Sequence, residues 1–167
     1  MSLFNDIVDQ IKYVLESNEK FADISLLNSF SSVITPNPLN KACITFGISD
    51  MKIKETSFSR YLGFRNGNEY YGNLAEINLS LCIYSPNKYS AEKCYDIFYN
   101  AYEALFNYNN NLNIISISCG KLVYNEYLFC YSLLCNLKLN TFIGQLTNDG
   151  DISSIEVFKG KERLINE

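Results

Sequence analysis

The chain contains no histidine. That excludes a Ser-His-Asp triad, a Cys-His dyad, a His-ligated zinc and a histidine proton shuttle. Thiols, hydroxyls and carboxylates remain. The six cysteines stand at 43, 82, 94, 119, 130 and 135, and no two are spaced C-x-x-C. They lie inside apolar runs such as LSLCIYS and YLFCYSLLCNL. They therefore read as free, buried thiols of a reducing compartment rather than as a disulfide framework or a metal site. Cys119, in ISISCGKL, would need a base to become a nucleophile, and it reads instead as a structural cysteine at a strand end. Asp149 and Asp151 flank Gly150, but no further carboxylate follows at calcium-loop spacing, which leaves a solvated turn. Glu76 falls on the polar side of an alternating stretch and reads as a cross-strand partner or an interface charge. No G-x-G-x-x-G and no Gly-rich loop ending in Gly-Lys-Ser/Thr offers a phosphate cradle. These residues point to no cofactor and to no catalytic constellation.

One segment has a composition suited to recognition. SFSRYLGFRNGNEYYG, residues 57–72, places Arg60, Tyr61, Phe64, Arg65, Tyr70 and Tyr71 together around Asn66-Gly67, a turn signal. Arginine beside exposed aromatic rings is enriched at protein–protein contacts. Single-stranded nucleic acid uses the same pair, but it also needs a positive groove, and this chain has a net charge of −4. The six residues are candidates for a protein interface, in a hairpin tip or a loop ordered by a partner, and specific nucleic-acid binding is not expected.

The surrounding pattern is helix, strands, helix, strands. Leu3, Ile7, Ile11, Val14 and Leu15 recur at helical steps and predict a helix over 2–17. Thr35-Pro36-Asn37-Pro38 bars a helix and leads into a strand over 42–48, with 51–56 continuing it or pairing with it. Ala75, Ile77, Leu79, Leu81 and Ile83 alternate with polar residues and predict a strand over 73–84. Residues 90–106 predict the second helix, with Ser90 as N-cap and a stripe of Ala91, Cys94, Ile97, Phe98, Ala101, Tyr102 and Leu105. Strands follow over 113–124, 127–142 and near 155–158, and the chain closes with a charged tail over 159–167. With 47% apolar residues and no linker-like stretch, this is a single domain over 1–167. The expected class is α+β, a mixed or antiparallel sheet of about four to five strands with both helices on one face. No run approaches the roughly 18 apolar residues of a membrane span, and MSLFNDIVDQ is unlike a secretory signal.

Two stretches carry a family likeness: TPNPLNKACITFGI at 35–48, and NLAEINLSLCIYSP at 73–86 followed by SAEKCYDIFYNAYEAL at 90–105. Together they resemble the tail-terminator and minor tail proteins of contractile phages and phage-tail-like bacteriocins of Gram-positive bacteria. The likeness spans roughly residues 1–143 and transfers no catalytic residue. It implies a non-enzymatic structural subunit, assembled in the bacterial cytoplasm, that forms a homo-oligomeric ring, a hexamer, on the end of the tail tube. Its partners would be further copies of itself, the tube, and sheath or neck and collar proteins. Alternatives are another neck, connector or baseplate component, or a small soluble enzyme or ligand-binding module using a Cys or carboxylate site.

Overall fold

The computed structural model describes residues 3–28, 39–54, 61–65, 68–107, 113–148 and 151–158. The proline-bearing entry at 35–38, the Asn66-Gly67 pair, Gly150 and the tail at 159–167 lie outside the described residues. Helix α1 spans Leu3–Glu16 and buries Ile7, Val8, Ile11, Val14 and Leu15 along one side. It stops at Ser17, whose hydroxyl donates to the Val14 carbonyl at 2.8 Å and so competes with further helix. A 3-10 turn, Glu19–Phe21, follows; Asn18 caps it by accepting the Lys20 N–H at 3.0 Å, and Phe21 enters the core.

Strand β1 is short, Ser25–Leu27, and runs parallel to β2, Cys43–Lys54. β2 absorbs both predicted segments as one strand, with an irregularity between Ile48 and Asp50. β3, Tyr61–Arg65, and β4, Asn68–Pro86, form an antiparallel hairpin. After helix α2, Lys93–Asn107, come β5 at Asn113–Asn125, β6 at Cys130–Asn148 and β7 at Asp151–Phe158. β4 and β6, 19 residues each, pair without a break from Tyr70↔Leu146 to Pro86↔Cys130. At ~3.3 Å per residue this central pair reaches roughly 60 Å.

The remaining strands divide that length between them. Near Pro86 the sheet is five strands wide in the order β1-β2-β4-β6-β5, and near Asn68 it is flanked by β3 and β7 instead. Among the described residues the helices pack on the first half. Ala75, Ile77, Leu79, Leu81 and Ile83 of β4 and Leu133, Cys135, Leu137 and Leu139 of β6 pack beneath α1 and α2 in one apolar cluster. Each of the isoleucine and leucine side chains there, when fully buried, contributes about 1.5–3 kcal/mol. The molecule is thus α+β, with two helices on one face of a mixed sheet.

Besides the additional strand β1 and the longer β4, β6 and β7, the elements depart from the sequence pattern in α2 and at the turn before β6. Helix α2 begins at Lys93 rather than at Ser90, because Lys93 and Cys94 close i→i−3 bonds to the Ser90 and Ala91 carbonyls, a tighter first turn. Its buried stripe is Cys94, Ile97, Ala101, Ala104 and Leu105, while Tyr102 is 42% exposed. β6 starts at Cys130 rather than at 127, because residues 126–129 form a turn. Asn125 Oδ1 accepts the N–H groups of Tyr127 and Leu128 at 3.0 Å, and the turn ends with Phe129 at φ 48°, 51% exposed. Among the described residues no helix is long and apolar enough to cross a membrane.

Candidate interaction surfaces

Within the Arg-aromatic segment, residues 61–65 and 68–71 form an antiparallel strand pair. The register places Tyr61 opposite Tyr71, Gly63 opposite Tyr70, Phe64 opposite Glu69 and Arg65 opposite Asn68, with an irregularity between Tyr61 and Gly63. Five of the six candidate residues therefore stand on two adjacent strands at the end of the sheet remote from α2; Arg60 lies outside the described residues. Arg65 is the last residue of β3 and marks the hairpin's end.

The sheet face opposite the helices is largely polar, with Leu134 and Val123 exposed among its polar residues. Its clearest feature joins three strands. Lys138 of β6 donates to Glu76 Oε1 of β4 at 2.9 Å, and Lys54 of β2 lies 3.7 Å from Oε2. The Glu76 side chain is 16% exposed. The hydrogen bond from Lys138, above all, holds its carboxyl below the ordinary carboxylate range, with the charges of Lys138, Lys54 and Lys52 adding to it. A carboxylate stabilised as the anion is a weak proton acceptor at neutral pH, so the group suits cross-strand pairing better than general-base work.

Helix α2 has an outward face that sequence reasoning missed. Tyr95, Tyr99 and Tyr102 are 43%, 57% and 42% exposed, and with Phe106 they repeat at steps of four, three and four. The rings run as a chain: Tyr99 to Tyr102 centroids lie 6.5 Å apart, Tyr102 to Phe106 4.8 Å. The signal was present as a second helical stripe, masked because Tyr102 also fits the core pattern. Beside it Glu103 accepts from Lys20 at 3.1 Å and from Tyr99; Lys20 also donates to Asn100 at 3.0 Å.

The thiols are poorly placed for nucleophilic chemistry. Burial pushes Cys43 and Cys135 up to about 12 and Cys94 to about 11. A thiol held protonated is inert. Cys119 is exposed on edge strand β5, in register with buried Cys135. Among the described residues no three His, Cys, Asp or Glu side chains gather in a way that could hold a metal ion. Two open grooves flank the start of the fold. One, of about 740 Å³, runs between Ser17–Lys20 and Glu103–Asn107; the other, of about 500 Å³, is bordered by Asp23, Lys41, Lys88 and Lys93. Asp149 lies outside the described residues, and Asp151 opens β7.

No family model and no curated protein matches the chain.

Proposed function

We propose that the chain is a structural subunit of a phage-type tail: a tail terminator that forms a hexameric ring on the end of the tail tube and docks sheath or neck proteins. The observation that carries this reading is the asymmetry of the sheet. Its helix-covered half is a body with a largely polar opposite face, while β4 and β6 run on past the helices to a hairpin end bearing Tyr61, Phe64, Arg65, Tyr70 and Tyr71. A closed ring requires head-to-tail contact between two unlike patches on each subunit. The hairpin end and the helix-covered body are two unlike surfaces, and a standard contact buries about 800 Å² per partner. The likeness of residues 35–48 and 73–105 to tail terminators supplies the tail context, including assembly in the bacterial cytoplasm. The chemistry fits a non-enzymatic role, since Glu76 is held ionised, the buried thiols are held protonated and both grooves stand open.

Electron microscopy of tail particles tests the location, with a ring of this chain expected at one end of the tube. Replacing Phe64 and Arg65 together by alanine is expected to reduce tail association while leaving the melting temperature unchanged. Light scattering that finds only monomer, even with tail tubes present, overturns the ring, and a ring found in the baseplate or neck reassigns its place.

A further inference from the structure

We infer that the outward side of α2 is the seat for the β3–β4 hairpin of a second copy of this chain. The inference rests on the ring reading and names the two surfaces that would meet.

Consecutive residues of a helix are about 100° apart, and the outward residues of α2 sort into two neighbouring stripes. Tyr95, Tyr99, Tyr102 and Phe106 form the aromatic one; Glu92, just before the helix, with Asp96 and Glu103 form an acidic one beside it. Glu103 is already paired with Lys20 at 3.1 Å. Among the described residues no ion pair engages Glu92 or Asp96, and both are exposed. Aromatic faces next to free carboxylates suit a guanidinium, which stacks on the ring and donates in parallel to the carboxylate.

The chain has arginine only at 60, 65 and 163, so the sequence from 57 to 72 holds two of its three arginines among the aromatic residues Tyr61, Phe64, Tyr70 and Tyr71, with Arg65 on β3. Arg65 stands at the hairpin's end. The hairpin cannot reach the start of the stripe on its own α2. Arg65 is level with Asn68 at one end of β4, whereas α2 begins at the other, where the Cys94 thiol lies 3.7 Å from the carbonyl of Tyr131, the partner of Ser85. Almost the whole length of β4, roughly 55 Å at ~3.3 Å per residue, separates them. The 15-residue helix spans only about 22 Å. The contact is therefore between copies, and because hairpin and helix are different surfaces it is head-to-tail.

Analytical ultracentrifugation of the full chain, alone and with tail tubes, tests this. Arg65→Glu, Tyr99→Ala and the double change Glu92→Lys with Asp96→Lys are each expected to weaken self-association about tenfold or more without lowering the melting temperature. Combining Arg65→Glu with Glu92→Lys and Asp96→Lys in one chain reverses both sides and is expected to restore association. A photo-crosslinking residue at position 99 is expected to join the 61–71 segment of another copy. Self-association that survives all three changes, or a crosslink elsewhere, overturns this contact and leaves the ring to other surfaces. A chain that stays monomeric with tubes present overturns the ring itself, and this contact with it.

Discussion

Ser85 lies on the core side of β4 beside the start of α2, fully buried, and its hydroxyl has no hydrogen-bond partner among the described residues. Burying an unpaired hydroxyl costs about 1–3 kcal/mol. Ser85→Ala removes the oxygen and keeps the methylene, so it is expected to raise unfolding free energy by about 1 kcal/mol in urea titrations. A loss of stability would show that the hydroxyl is bonded in solution. Gly47 illustrates the opposite kind of constraint. A Cβ there would lie 3.0 Å from Ser80 Oγ, the atom that donates to the Gly47 carbonyl at 3.2 Å, so glycine lets β2 and β4 keep that cross-strand bond.

Strands β2, β4 and β6 are tied on their polar face through Glu76, whose position at the middle strand lets two lysines reach it from either side. Because its folded-state pKa is below the ordinary 4.5, the stabilisation is complete above the carboxylate range and is lost as pH falls through the folded value. Lys138→Met removes the principal cause. Wild type is expected to be the more stable at about pH 7, with the difference shrinking as pH falls through the carboxylate range and Glu76 takes up its proton. Urea titrations at neutral and acid pH check it; a gap that persists in acid would assign the effect of Lys138 to packing of its aliphatic stem.

The buried thiols act on the molecule together. Cys43, Cys94 and Cys135 come from β2, α2 and β6, and all three are pushed above the ordinary thiol value of 9.0 by burial. The folded chain keeps these protons while the unfolded chain releases them above about pH 9, so stability present below that pH declines as pH rises toward 11–12. Each retained proton contributes a slope of about 1.4 kcal/mol per pH unit. Thermal melts across this range are expected to show the decline, and Cys135→Ala to make it shallower. A wild-type profile flat above pH 9 would mean that the thiols ionise in the folded state.

Alternation and helical spacing are local properties, and they carried most of the architecture. The period of two from Ala75 to Ile83 and the three- and four-residue steps from Ile7 to Leu15 each place one face of an element against a core, whatever the partner. Two helices on one side of a mixed sheet followed from that. Pairing is not local. Nothing in MKIKET or in NEYYG says that β2 and β3 would share one edge of β4, or that β4 and β6 would run on together past the helices, because strand register is settled by contacts between residues far apart in the chain. The Arg-aromatic composition was legible at once and Asn66-Gly67 offered a hairpin as one of two readings, whereas its distance, a β4 length, from the start of α2 was not legible. The outward tyrosines of α2 were ambiguous for a related reason. Tyr102 satisfies both the buried and the exposed spacing, and only the packing of Ala104 and Leu105 against the sheet decides which way the helix is turned.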